Sequence, residues 1–586
     1  MNIERLFDIL DFAFEKHNKK VALAGKKGGK WVTYSSEEYI ENANLVSSAL
    51  IKLGIKKGDK ILNISVNRPE WNFVDMGIQQ VGAIHVPVYP TIGEEDLRTI
   101  ISETQAKIAF ISGKFLVQPM KMFQKEFPCL QHIISFDNNV EVEQFRELIE
   151  NGKTNFNRDE IDKIKASILP DDLASILYTS GTTTTPKGVM LSHKNHLHNI
   201  LIVANTIRLD NTMKILSYLP LSHSYERMTN YVSQYLGMSI YYNENLANIL
   251  ANFQKVKPHI LISVPLLLEK VYSGILEKGS ALKGIKKHIF NWAIKLGLKY
   301  EPSKEFGWWY NAQLNLANKL VFVKWREALG GNMNKIIVGG AAVQREIYNI
   351  FWAARIPVYE GYGLTEASPL VSFNTEHQNK AGSVGITLNN LITKVAEDGE
   401  LLVKGGNIMQ GYYMHPELTE QTIDKDAWLH TGDIATIDDK GYITITGRKK
   451  DIFKTAAGTY VYPETVENKL KLSPFIDQVL VAGANKNHLS VIVVPNFDYV
   501  KKWAKTHDIH YESNLEMVRL PELKKAIMDD FKDYNLTAKE AHKILRLEIL
   551  PEAWTIEKGE ITPSMKIKRA KLIEKYSGLI EEMYSS

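Results

Sequence analysis

Apolar positions along this chain change their period several times, and each change marks a different kind of element. SSEEYIENANLVSSALIKLG, from Ser35, repeats its apolar residues at helical spacing behind a capping box at Ser35 and Ser36, so a helix is predicted there. ILNISVNRPEW, from Ile61, reads as a strand that ends in a turn. DLASILYTS, Asp172 to Ser180, is a nearly continuous apolar strand, and NKIIVGGAAV and ARIPVYEGYGLTE each set a buried strand before a glycine-bearing turn. Strands alternating with helices over the first two thirds predict an α/β architecture, with parallel-type sheets flanked by helices on both faces.

The texture changes beyond Gly382. GELLVKGGNIMQGYY and DKGYITITGRKK show short strands of period two separated by Gly and Asp turns, the pattern of a small antiparallel sheet or distorted β-barrel. After Arg448 it shifts again: QVLVAGANKNHLSVIVVP predicts a hairpin turning at Asn485 to Asn487, with helices on either side. The expected organisation is a large domain over residues 1–449, its small β part at about 382–447, and a small α+β domain over 450–586.

Composition narrows the classes. A chain of 586 residues with 44% hydrophobic content is too long for one core. Its 71 Lys+Arg against 67 Asp+Glu leave +4, so no nucleic-acid partner is expected. Cys129, the single cysteine, excludes internal disulfides and thiolate metal clusters and suits a reducing compartment. The first twenty residues scatter charges among Leu6, Ile9, Leu10, Phe12 and Phe14, which reads as an amphipathic surface helix and not as a signal peptide. The most apolar run, from Ile260, breaks after about nine residues, short of the roughly 20 that cross a bilayer. A cytoplasmic protein is expected, or one peripheral to the inner face of the membrane, where basic stretches such as Lys56 to Lys60 allow weak contact with an anionic surface. Oligomeric state is left open, with a homodimer compatible.

The stretch YTSGTTTTPKGVMLSH, Tyr178 to His193, carries the first chemistry. Gly181 lies six residues before Lys187, the spacing of a phosphate-binding P-loop, yet Pro186 fills the place of its second glycine. Gly188 follows Lys187, so the Ser/Thr that would hold magnesium in such a loop is missing too. What remains is a run of hydroxyls and backbone N–H groups at a strand end, able to wrap a polyphosphate while Lys187 supplies charge. A polar surface turn would read the same way.

TSGTT followed by PKG resembles the signature of the adenylate-forming superfamily: acyl-CoA synthetases, peptide-synthetase adenylation domains and luciferases. Thr184 stands where that signature usually has glycine. Further motifs follow in the family's order over roughly residues 30 to 580. GGAA, with Gly339, Gly340 and Ala341, resembles the turn against which adenine packs. GYGLTE, Gly361, Tyr362, Gly363, Leu364, Thr365 and Glu366, resembles the segment that stacks a tyrosine ring on adenine, contacts the α-phosphate through Thr365 and reaches magnesium through Glu366. Thr179 is implied as a second magnesium contact, and Thr179, Ser180, Gly181, Thr182, Thr183 and Lys187 as the phosphate cradle.

DAWLHTGDIATIDDKGYITITGRKKDIFK is similar, almost from end to end, to the signature of fatty acyl-CoA synthetases. By that resemblance Asp433 accepts hydrogen bonds from the ribose hydroxyls, Arg448 contacts ribose or phosphate, and Lys450 is a hinge. TPSMKIKRAK resembles the last motif and implies Lys566 as the catalytic lysine, with Lys568 and Arg569 close by and Met565 in place of the usual glycine. LPLSHSYERM resembles the long-chain enzymes' segment between the acyl site and the thiol channel, which points to His223. In AAGTYVYPE, Gly458 would lie on the pantetheine path. VPLLLEK resembles the long-chain VPRLLEK with Leu266 replacing the arginine.

The activity implied is ATP-dependent, Mg2+-requiring conversion of a long-chain fatty acid to acyl-AMP and then, with coenzyme A, to acyl-CoA. The alternatives are a medium-chain ligase, a fatty acyl-AMP ligase and a noncatalytic nucleotide-binding sensor. The second typically carries an insertion after the hinge, for which DIFKTAAGTYVYPE leaves no room.

Overall fold

The computed structural model describes residues 3–138, 140–179, 186–555, 558–562 and 566–585. One large sheet has eight strands in the order Gly411–Tyr412, Lys187–Ser192, Leu173–Thr179, Ile84–Val88, Lys60–Ile64, Ile108–Ile111, His132–Ser135 and Glu143–Gln144. From Leu173–Thr179 onward its neighbours are parallel; the pairing is antiparallel at the edge where Lys187–Ser192 folds back. A second sheet has nine strands. Its run from Val358–Gly363 through Lys335–Val338, Ile260–Ser263, Lys214–Ser217 and Ser239–Tyr242 to Leu23–Lys27 is parallel as well.

One core joins the two sheets. It takes Ile61, Ile108 and Phe110 from the first and Ile215, Ile240 and Ile337 from the second, with Ala43, Trp71, Leu197 and Tyr231 from the helices Ser36–Lys52, Pro69–Gln80, His193–Thr206 and Ser224–Tyr235. Strands with apolar side chains on both faces are the reason these segments read as unbroken apolar runs. The helix Ser36–Lys52 starts on a full capping box, Ser35 and Glu38 each bonding the other's backbone. The helix Asp8–His17 is tied down by Leu6, Phe7 and Ile9, all fully buried.

A four-stranded antiparallel sheet follows, Leu391–Val395, Glu400–Gly405, Leu429–Ile437 and Ile443–Arg448. Two short strands of the same region pair elsewhere: Ile386–Thr387 edges the nine-stranded sheet and Gly411–Tyr412 the eight-stranded one, so this region is stitched to both. The small C-terminal unit is built on Ile476–Ala482, its antiparallel neighbour Leu489–Pro495, and the parallel strand Ile544–Ile549. Val479, Val481, Val491 and Val493 pack on one side of that sheet, and Leu480, Ala482, Ile492 and Val494 on the other against Trp554. Asn485, at φ 57°, makes the turn between the first two strands. Among the described residues no helix is long and apolar enough to cross a membrane.

Candidate active site

The site forms at the carboxyl ends of parallel strands, where open α/β sheets leave a crevice. Gly339, Gly340 and Ala341 turn out of Lys335–Val338, and Gly340 sits at φ 87°, a conformation that strains any side chain. Gly361, Tyr362 and Gly363 end the neighbouring strand; a Cβ on Gly363 would lie 2.1 Å from the Pro369 carbonyl oxygen, so the close strand crossing there requires glycine. Leu364 follows, and Thr365 and Glu366 open the short 3-10 turn Thr365–Ala367.

Across this edge stands the antiparallel pair that carries Asp433 and Arg448 as direct cross-strand partners. Arg448 Nε lies 2.8 Å from Asp433 Oδ1, and the Tyr362 hydroxyl donates to Oδ2 at 2.6 Å. Burial raises the Asp433 pKa, while Arg448, the Tyr362 hydroxyl and Lys566 pull the other way. Burial and the adjoining Asp433 carboxylate push the Tyr362 phenol up in turn.

Lys566 joins this cluster from the C-terminal unit. Its backbone is tied to Thr562 in both directions, at 2.7 and 3.1 Å. The side chain keeps solvent access in the cleft. Enclosure by protein nevertheless lowers its ammonium pKa, with Arg448 adding to the drop and Glu464 and Asp433 opposing it. The two neighbouring bases are placed otherwise. Arg569 is buried against Glu467 at 2.5 Å and the Val481 carbonyl at 3.0 Å, a structural pair inside its own unit, and Lys568 faces Asp96.

A second group of residues lies beside the first. Thr179 and Lys187 are cross-strand partners at the ends of Leu173–Thr179 and Lys187–Ser192. Ser180, Gly181, Thr182, Thr183 and Thr184 lie outside the described residues. Lys187 Nζ rests over the Tyr412 ring at 5.4 Å, and the Tyr412 hydroxyl donates to Glu366 Oε1 at 2.8 Å. Thr365 Oγ1 lies 3.1 Å from Ser224 Oγ. Burial lowers the Lys187 pKa, the Lys450 ammonium lowers it further and Glu366 opposes. Lys450 itself is exposed on the turn after Ile443–Arg448. Among the described residues no three His, Cys, Asp or Glu side chains converge as a ready-made metal site. Glu366 beside Lys187 is a single carboxylate, a donor that fits magnesium only if further oxygen ligands come from elsewhere.

A small apolar cavity lies between the nine-stranded sheet and the helices His193–Thr206 and Ser224–Tyr235, with Gly361 in its lining. Val203, Ile215, Tyr225, Met228, Val232 and Phe373 form much of its wall. Its three hydroxyls are all spent on backbone carbonyls: Tyr225 donates to Ile337 at 3.1 Å, and Thr229 to Tyr225 and Ser233 to Thr229, each at 2.8 Å. The wall helix is pinned on its other side by Arg227 and Tyr231, which donate to the buried Asp75 at 2.7 and 2.6 Å. His223 caps that helix through a bond from the Tyr225 N–H at 3.2 Å, and burial, with Lys566 nearby, lowers its imidazole to a pKa of about 4.

A model of the family described as AMP-binding enzyme matches residues 10–413, and one of the AMP-binding enzyme C-terminal domain matches residues 450–586. The chain belongs to the AMP-binding enzyme family. Among relatives of this AMP-binding enzyme, the long-chain-fatty-acid–CoA ligase FadD15 of Mycobacterium bovis is 30% identical over 563 residues, covering 95% of this chain and 93% of the relative. Long-chain-fatty-acid–CoA ligase 1 of Homo sapiens is 30% identical over 598 residues, covering 95% of this chain and 83% of its own. The fold is shared with the crystal structure of an anthranilate CoA ligase in complex with anthranoyl-AMP, at TM-score 0.72 and 18% identity over 97% of each chain. It is shared too with a Mycobacterium tuberculosis fatty acyl CoA synthetase, at TM-score 0.62 and 20% identity, covering 98% of this chain and 99% of the other.

In this AMP-binding enzyme, Tyr362, Thr365, Glu366, Asp433, Arg448, Lys187, His223 and Lys566 converge from widely separated parts of the chain. Gly458 stands apart. It lies on the hairpin Phe453–Lys454 and Tyr460–Val461, whose described contacts, such as Thr459 Oγ1 to His542 Nε2 at 3.1 Å, stay within the C-terminal unit. Sequence reasoning did not single out Tyr412, Ser224 or the cavity wall. Ser224 and Tyr225 adjoin His223 in LPLSHSYERM and were within reach; Tyr412 carries no local signal.

Proposed function

We propose that this enzyme activates a long-chain fatty acid with ATP, releasing pyrophosphate, and then passes the acyl group to coenzyme A. The observation that carries the reading is the cavity: an apolar pocket with its hydroxyls spent on backbone carbonyls has Gly361 in its lining, one residue from Tyr362 and the Asp433 cluster. The cavity as it stands is only about 20 Å³, so a fatty acid tail would enter as the apolar wall side chains part, and would then be excluded from water with its carboxylate toward Tyr362 and Asp433.

In the first step a carboxylate oxygen attacks the α-phosphorus, and the bond to the β-phosphate oxygen breaks as pyrophosphate leaves. The attacking group is the substrate itself, so what the chain supplies is position and charge. Tyr362 offers its ring to adenine and Asp433 accepts from the ribose hydroxyls, with Arg448 beside it. Lys187, Lys566 and Thr365 gather on the α-phosphate, an electrostatic arrangement in which one lost donor costs about 10² to 10³ in rate. Magnesium, held by Glu366 and Thr179 together with phosphate oxygens, would neutralise part of the triphosphate charge.

In the second step the thiol sulfur of coenzyme A attacks the acyl carbonyl, the thiol proton is lost, and AMP leaves with the former carboxylate oxygen. Lys566 lies near Asp433, Arg448 and His223 in the present arrangement, where it would crowd an incoming thiol. Rotation of residues 450–586 about Lys450 would withdraw it and bring Gly458 toward the opening beside His223. ATP–pyrophosphate exchange with saturated acids of graded chain length, followed by the same series with coenzyme A, tests the reading. Exchange driven by palmitate and acyl-CoA formation are expected; exchange without acyl-CoA would make the protein an acyl-AMP ligase, and no exchange would end the proposal.

A further inference from the structure

Two helices fold back on each other at the outer side of the nine-stranded sheet. They are Gly284–Leu298 and Trp308–Ala317, the second continuing through Asn318–Phe322 into Val323–Ala328. Tyr310 donates to the Leu296 carbonyl at 2.8 Å and Trp292 to Gln313 Oε1 at 3.4 Å. That antiparallel register brings Leu298 toward the Trp308 end and Ile285 toward Leu320. The inward face is ordinary core, with Ala317, Val321, Phe322 and Trp325 packed on Phe290 and Ile294. The outward face is apolar too: Trp308, Ala312, Leu316 and Leu320 recur at every fourth position and all face solvent. Trp308 is 79% exposed, Trp309 63% and Ile285 78%. Packing the fold does not require a second apolar stripe, and a patch of this kind marks an interaction surface.

The charge around the patch decides among occupants. Residues 283–324 hold eight lysines against Glu301 and Glu305, a surplus larger than the +4 of the whole chain. Glu301 is engaged by Arg345, and among the described ion pairs none uses any of those eight lysines. By contrast Lys57, in the basic stretch Lys56 to Lys60, is paired with Asp172 at 2.5 Å, and Asp59 is held by Lys107 at 2.8 Å. A second copy of the chain would set two such positive faces against each other, which like-charge repulsion opposes.

We propose that this face docks the protein on an anionic lipid bilayer, with Trp308, Trp309, Leu316, Leu320 and Ile285 entering the interface while the surrounding lysines meet lipid phosphates. Tryptophan favours that depth, aliphatic side chains supply buried area, and lysines add attraction that salt screens. The inference rests on the ligase reading for its use, since a long-chain fatty acid partitions into bilayers and a docked enzyme would draw it from there.

Co-sedimentation of the full chain with vesicles tests it, using phosphatidylcholine alone and phosphatidylcholine mixed with phosphatidylglycerol, at low and high salt. Binding to the anionic vesicles should exceed binding to the neutral ones by roughly tenfold or more and fall with salt. The exposed pairs Trp308→Ser with Trp309→Ser, and Lys286→Glu with Lys287→Glu, should each lower it about tenfold while leaving activation of detergent-dispersed palmitate unchanged. Wild-type binding by both double variants, or no vesicle binding by the wild type, overturns the proposal. So does a wild-type dimer in analytical ultracentrifugation that the tryptophan variant splits, which would assign the face to a second copy. Failure of the ligase reading would look different: no pyrophosphate release with dispersed palmitate, with vesicle binding intact.

Discussion

The Tyr362 hydroxyl holds one oxygen of Asp433 at 2.6 Å while Arg448 holds the other at 2.8 Å, and Asp433 is only 3% exposed. A carboxylate so enclosed depends on both partners. Tyr362→Phe keeps the ring and deletes the donor, which costs about 1–3 kcal/mol for a buried group left unpaired. That corresponds to roughly 10- to 100-fold in a binding constant. KM for ATP in pyrophosphate exchange is expected to rise by that factor in the Phe variant, and further in Tyr362→Leu, which also loses the ring face. An unchanged KM in Tyr362→Phe would separate the phenol from nucleotide binding.

Lys566 approaches Asp433 and Arg448 from the C-terminal unit, which in the proposed two-step reaction would also make way for a thiol. Lys566→Ala is expected to lower acyl-adenylate formation by about 10² to 10³ while thioester formation from supplied acyl-adenylate is largely kept. Lys450→Pro should do the reverse. The turn bonds there run from Asp451 and Ile452 to the Arg448 carbonyl, so proline at 450 removes neither and instead fixes φ at the pivot. Equal loss of both half-reactions in Lys566→Ala, or full turnover by Lys450→Pro, would refute the division of labour.

What could be read from the sequence was what lies in one piece. Asp433 and Arg448 belong to one contiguous stretch and pair across one hairpin, so their motif and their geometry coincide. The apolar strands were legible because burial on both faces leaves no alternation to mistake. Tyr412 was not: it reaches Glu366 because the two-residue strand Gly411–Tyr412 pairs with Val189 and Met190, more than 200 positions earlier, and no local pattern encodes that. The cavity wall is hidden for a similar reason. Val203, Ile215, Met228 and Phe373 come from four elements, and each alone reads as core.

The same wall makes chain length testable. Ser233 sits on the cavity side of its helix with its hydroxyl turned back to the Thr229 carbonyl, so Ser233→Phe places a ring in the cavity at a cost of about 1–3 kcal/mol in packing strain. Palmitate-driven exchange is expected to fall at least roughly tenfold while octanoate-driven exchange is largely retained, since a shorter tail needs less of the cavity. Parallel loss for both acids would move the acyl site elsewhere.

His193 gives the fold an acid limit. It is 1% exposed and its Nδ1 accepts the Leu6 N–H at 3.2 Å, which ties the N-terminal segment to the helix His193–Thr206. Burial lowers its pKa from 6.5 to about 4, with Arg5 adding to the drop and Asp172 and Asp8 opposing it. The folded state therefore takes up this proton less readily than the unfolded chain. Stability from this group is complete above pH 6.5, falls as pH drops through the window from 6.5 to about 4, and is lower by roughly 3 kcal/mol beneath it. His193→Asn keeps an acceptor for Leu6 but cannot titrate. Thermal unfolding followed from neutral pH down to 4 should show a shallower decline for that variant than for the wild type, whatever their stabilities at neutral pH. Parallel declines would mean that the imidazole is no more averse to protons when folded than when unfolded.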